Sequence, residues 1–177
     1  MKTTHAIALG FLLVVSLAAF KATERQPSTG AALAARSSFG GVIDGRLRTE
    51  MHGAAKYGVV AGRGGAPTVL TISLGETDTN ASILFTRTNG GRLGPGTYAV
   101  TGRDDGTDEI RALVMTGSAE RPTGVFRGHS GTLVITSAGD NILRGSFRIE
   151  ATGFLGTDPS ADDLRIRASG GFTAVRQ

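Results

Sequence analysis

Ile142-Leu143-Arg144-Gly145-Ser146-Phe147-Arg148-Ile149-Glu150-Ala151 decides the fold class of this chain. Leu143, Gly145, Phe147, Ile149 and Ala151 fall on one face, and Arg144, Ser146, Arg148 and Glu150 on the other. Strand side chains alternate between faces, so a period of two with this polarity describes a strand whose one side meets a core and whose other side meets water. Just upstream, Gly131–Ser137 carries Leu133 and Ile135, and Ala138-Gly139-Asp140-Asn141 supplies turn residues. Thr132 to Ala151 therefore reads as an antiparallel hairpin.

The same period extends outward from that hairpin. Toward the C-terminus, Thr157 to Asp162 is a polar loop, Leu164, Ile166 and Ala168 alternate up to Gly170-Gly171, and Phe172 to Val175 closes the chain. Toward the N-terminus come a short strand at Thr123 to Arg127 and apolar sets at Ile110/Ala112/Val114, Tyr98/Val100, Ile83/Phe85 and Leu70/Ile72/Leu74. Asn89-Gly90-Gly91, Pro95-Gly96 and Asp105-Gly106 punctuate them as turns, because Asn and Gly tolerate positive φ. From Ser38, one phase runs through Phe39, Gly41, Ile43, Gly45 and Leu47 and on to Met51, Gly53, Ala55 and Tyr57. That is one long strand, or two with a bend near His52-Gly53, with Gly40-Gly41 and Gly53 as bulge positions. Many short strands without a helical pattern predict an all-β fold, and an antiparallel β-sandwich of jelly-roll-like or related topology is the expected form. A closed barrel is the alternative.

The N-terminus reads differently. Lys2 precedes an uncharged apolar run, Ala6 to Phe20, and small residues at Ser16-Leu17-Ala18-Ala19 suit signal peptidase. The expected organisation is a signal peptide over 1–19, a flexible linker over 20–37 and one β-sandwich domain over 38–177. The run is short for a membrane span. The protein is accordingly expected to be exported, to the periplasm, the cell surface or the medium, without an integral span after cleavage; an N-terminal anchor is the alternative if the leader stays.

Composition narrows the chemistry. The 177 residues hold no Cys and no Trp, 27 Gly and a formal net charge of +4. Without Cys there are no disulfides, thiolate metal sites or cysteine nucleophile. The small net charge without a basic stripe argues against nucleic acid.

Five motifs occur in order: Gly53-x-Ala55-x-Tyr57-Gly58, Pro95-Gly96-Thr97-Tyr98, Ser130-Gly131-Thr132-Leu133-x-Ile135-Thr136, Gly145-Ser146-Phe147-x-Ile149-x-Ala151 and Gly171-Phe172-x-Ala174-Val175. The pattern resembles small exported bacterial β-sandwich domains of an uncharacterised family. The resemblance spans nearly all of the domain and implies a fold; it brings no activity and no functional residues.

Three groups of residues have chemistry to offer. Arg144 and Arg148 share one strand face, and Arg165 and Arg167 another; if these strands pair, four guanidinium groups share a patch that suits the carboxylates or phosphates of an anionic glycan or lipid. Asp104, Asp105, Asp108 and Glu109 form the densest set of hard oxygen ligands, the type calcium takes, although Asp-Gly is also ordinary turn chemistry. Asp158, Asp162 and Asp163 form a weaker set. His5, His52 and His129 lie far apart and match no ligand spacing. No nucleophile elbow, phosphate-cradling loop or aromatic sugar platform is present. The expectation is a non-catalytic module, without a cofactor, that acts through surface contacts with an envelope or extracellular protein or glycan. A ligand-binding domain for anionic glycan, lipid or calcium is the first alternative, and a glycan-active enzyme with unrecognised carboxylates the second.

Overall fold

The computed structural model describes residues 37–60, 68–75, 81–88, 91–102, 109–118, 122–156 and 164–177. They form β1 (Ser38–Gly45), β2 (Thr49–Gly53), β3 (Ala55–Val60), β4 (Val69–Leu74), β5 (Ala81–Thr88), β6 (Gly96–Ala99), β7 (Arg111–Gly117), β8 (Pro122–Ala138), β9 (Ile142–Leu155) and β10 (Leu164–Arg176).

Three strands are long: β8 has 17 residues, β9 14 and β10 13. β9 lies between β8 and β10 along its length, antiparallel to both. The outer edges of this triple-stranded wall are shared. β10 pairs with β1 from Ile166 to Thr173 and then, at Val175 and Arg176, in parallel with Lys56 and Tyr57 of β3. β8 pairs with β7 up to Arg127, passes a bulge between Gly128 and Ser130, and pairs with β6 from Thr132 to Ile135. The bulge inserts a residue and bends the strand, and the strand changes partner there. From β3 the ladder continues through β4, β5 and β7 back to β8, which closes a seven-strand barrel, β3-β4-β5-β7-β8-β9-β10. The β1–β2 hairpin and β6 stand outside that ring on its two shared edges.

The fold is thus all-β as expected, and the barrel replaces the favoured sandwich. Period-two patterning reports that one face is buried, which is common to both architectures. What distinguishes them is whether the edges of the sheet meet, and here β8 and β10 each serve two partners on one edge. Three segment boundaries change for the same reason. Thr123–Arg127 and Gly131–Ser137 belong to one strand, and so do Leu164–Ala168 and Phe172–Val175. The stretch from Phe39 to Tyr57 is three strands, whose common phase survives the turn at Arg46–Arg48.

The inward positions supply the core. Phe85, Phe126, Ile72, Ile83, Ile149 and Leu133 are fully buried, and the Phe85 and Phe147 rings sit 5.7 Å apart at 59°. Such a tilted pair adds about 0.5–1.5 kcal/mol beyond its buried area. Phe39, Ile43 and Met51 of the β1–β2 hairpin are also buried, so the hairpin extends the core past the ring.

The glycines at 40–41 and 170–171 are neither bulges nor turns. Gly40 pairs with Gly171 and Gly41 with Gly170 in an unbroken ladder. A Cβ on Gly41 would lie 2.5 Å from the Ser169 carbonyl oxygen, and one on Gly170 2.3 Å from that of Gly40. The bare backbones let β1 cross β10 closely. Aromatic rings cover the gaps: the Phe147 ring faces Gly170, its cross-strand partner, and the Phe172 ring faces Gly145.

Candidate functional sites: an arginine wall and a barrel-end pocket

β9 and β10 pair, so the condition for a shared arginine patch is met. Arg144, Arg148, Arg165 and Arg167 all project outward and are exposed. The register separates them: Arg144 faces Thr173, Arg148 faces Ser169, Arg167 faces Glu150 and Arg165 faces Thr152. No two arginines are directly opposed, which avoids the cost of like charges across a ladder. From Arg144 to Thr152 is eight residues, about 27 Å at the strand rise. The arginines therefore line an elongated strip and do not converge on a point.

One row of the strip is internally balanced. Arg167 donates from Nε to Glu150 Oε1 at 3.2 Å, and Asp44 of β1 is the neighbour of Arg167 on the other side. Arg144, Arg148 and Arg165 have no such acceptor among the described residues. Arg127 of β8 faces Thr152 as well, so Arg127 and Arg165 flank that threonine in a row without an acid. Shallow hollows run beside the balanced row. One of about 250 Å³ is bounded by Asp44, His129, Glu150, Arg165 and Arg167, and one of about 400 Å³ by Val42, Arg148 and Ser169 with the same acids and Arg167.

A separate concavity was not visible in the sequence. At the end of the barrel that carries the β8–β9 turn, Tyr57, Leu70, Arg92, Leu93, Pro95, Ala138 and Leu143 contribute to a pocket of about 440 Å³. The Tyr57 hydroxyl donates to the Asp140 carbonyl oxygen at 3.1 Å, and Arg92 holds the Asp140 carboxylate at 2.9 Å and its carbonyl oxygen at 3.3 Å. Burial pushes the Tyr57 phenol above its ordinary value of 10.0, against the pull of Arg92 and Arg176. These residues are scattered over more than 80 positions, and only barrel closure joins them; the one signal in the sequence was a tyrosine in phase with the core.

The acidic set is only partly placed. Asp104, Asp105 and Asp108 lie outside the described residues, as do Asp158, Asp162, Asp163 and His5. Glu109 is partly buried, and its Oε2 has no hydrogen-bond partner among the described residues. No group of three or more His, Cys, Asp or Glu among the described residues is arranged to hold a metal ion. His52 on β2 and His129 on β8 are exposed, with three strands between them. No helix among the described residues is long and apolar enough to cross a membrane.

The class that this geometry defines is a small closed β-barrel, antiparallel except where β10 meets β3, with a polar outer wall and an amphipathic end pocket. No protein-family model, curated protein or solved structure matches the chain.

Proposed function

We propose that this protein is an exported, non-catalytic binding module that holds acidic glycans against its β9–β10 wall. The observation that carries the reading is the set of exposed arginines on that wall, of which Arg144, Arg148 and Arg165 lack an acidic partner among the described residues. An unpaired guanidinium keeps its fork of donors for a carboxylate or sulfate, and a strip about 27 Å long suits an extended polymer more than a compact ligand. The neutral neighbours Ser169, Thr152 and Thr173 add hydroxyls for sugar oxygens. The Arg167–Glu150 pair fixes one row between the unpaired arginines and so spaces them.

Retention on immobilised polygalacturonate, measured at rising salt, tests this. The wild-type protein is expected to bind and to elute as salt screens the contacts. The triple variant Arg144→Ala/Arg148→Ala/Arg165→Ala should elute at clearly lower salt, and the corresponding triple Lys variant should fall between, since Lys keeps charge and loses the fork. Equal elution of wild type and the triple Ala variant would remove the wall from the function.

A further inference from the structure

The end pocket combines features that the wall does not. Its floor is apolar: Leu70, Leu93 and Leu143 are each at most 3% exposed, and Pro95 and Ala138 form part of the rim. Its polar groups gather on one side. Arg92 spends two of its donors on Asp140 and has others left, and Arg176 is near enough to act electrostatically on Tyr57. Against these two cations stands one anion, Asp140, whose side chain is 87% exposed and already held by Arg92. The local field is therefore positive beside an apolar floor. The volume, about 440 Å³, lies in the lower half of the range of about 300–1,000 Å³ typical of small-molecule sites, and the mouth of a barrel is a preferred place for one.

We propose that this pocket binds a small carboxylic acid with a compact apolar body, its carboxylate on Arg92 and its body against Leu93, Pro95, Ala138 and Leu143. A cation would meet Arg92 and Arg176, and a neutral alcohol would forgo the charge-assisted hydrogen bonds. The site is independent of the arginine wall, since none of Arg144, Arg148, Arg165 and Arg167 lines it.

Titration of the isotopically labelled protein with octanoate, octanol and octylammonium, followed through backbone amide resonances, tests the assignment. Octanoate is expected to give saturable shifts at Leu93, Gly94, Gly139 and Leu143, with octanol weaker by roughly tenfold, the worth of one charged hydrogen bond, and octylammonium weakest. Arg92→Gln should lower octanoate affinity by about the same factor and leave octanol binding unchanged, and Arg92→Lys should recover part of the loss. Because Arg92 also holds Asp140, a second variant acts by volume alone: Ala138→Trp, at an exposed rim position, should block both ligands while the spectrum stays folded. Shifts that do not saturate, equal binding of octylammonium, or octanoate shifts that survive Ala138→Trp or map instead to the wall around Arg148, Arg165 and Arg167 would each overturn the proposal.

Discussion

Gly170 and Gly171 are chemically identical neighbours, and the fold assigns opposite signs to their replacement by alanine. Gly170 points inward at the β1–β10 crossing. A Cβ there would meet Gly40 O at 2.3 Å, Gly41 Cα at 2.7 Å and Phe147 Cζ at 3.0 Å. Two of these atoms are backbone, so relief requires β1 to retreat by about 1 Å from a strand it pairs with over eight residue pairs. Overpacking costs about 1–3 kcal/mol, and each ladder hydrogen bond loosened about 0.5–1.5 kcal/mol more. Alanine returns about 0.4–1 kcal/mol by restricting the unfolded chain. The net expectation for Gly170→Ala is a loss of about 3 kcal/mol, or a Tm lower by roughly 6–12 °C. Gly171 points outward, and its added Cβ would touch only Gly145 O at 3.7 Å, an ordinary contact. Gly171→Ala keeps the entropic gain without the clash and should raise stability by about 0.5 kcal/mol. Thermal and urea unfolding followed by far-ultraviolet circular dichroism measure both. If Gly170→Ala costs under about 0.5 kcal/mol, or if the two variants lose stability equally, the inward assignment of Gly170 and with it the β1–β10 register is wrong, because a slip of one residue exchanges the faces.

The other predictions follow from single contacts. Phe126→Ala, at a fully buried position of β8, should cost about 3–5 kcal/mol in urea unfolding. Absorbance titration of the wild type against Tyr57→Phe should show the Tyr57 phenol ionising above its ordinary value of 10.0. Its raised folded value means that the unfolded chain loses this proton first as pH rises, so stability should fall from about pH 10 upward and be unaffected below; Tyr57→Phe should remove that part of the slope. Ser37 Oγ accepts from Ala55 N at 2.8 Å and donates to Ala55 O at 2.6 Å, and Ser37→Ala should cost about 1 kcal/mol at the start of β3. A double-mutant cycle on Glu150 and Arg167, 49% and 78% exposed, should return a coupling of no more than about 1 kcal/mol, since solvent screens such pairs.

What the sequence made legible was local. Alternation in Ile142–Ala151 specified which side of β9 faces the core, because every second residue there differs sharply in polarity. It also placed Arg144 and Arg148 on the solvent face, and left their meeting with Arg165 and Arg167 conditional on a pairing that β9 and β10 do make. Closure was not legible. It depends on two residue pairs, Val175–Lys56 and Arg176–Tyr57, whose partners are more than 100 positions apart and carry no distinctive side-chain pattern. The glycine pairs misled for a physical reason: glycine is selected both where a chain must turn and where two backbones must approach, and a single strand's sequence does not contain its neighbour. The end pocket stayed hidden on both counts, since it joins the end of the β8–β9 turn to Tyr57 across the closed barrel.

Closure also bears on where recognition can take place. In this barrel the inward positions hold Phe85, Phe126, Phe147 and a set of Ile and Leu side chains that are almost wholly buried, and packed interiors leave little room for a guest. Polar chemistry is then left to two places, the outer faces of the strands and the ends of the ring. On the wall, recognition adds to side chains already in water, so it is weak, extended and sensitive to salt, and stabilises the barrel only as far as the polymer prefers the folded chain. At the end, a ligand would lie over Leu70, Leu93 and Leu143, where apolar floor and fixed charge act together, so it should couple to stability and raise the unfolding midpoint with its concentration. A thermal-shift series therefore separates the two modes: octanoate should raise Tm in a way that Ala138→Trp abolishes, while any rise with polygalacturonate should vanish at high salt and on loss of Arg144, Arg148 and Arg165. A large Tm rise with the polymer that survives loss of Arg144, Arg148 and Arg165 would contradict the division of roles between wall and end.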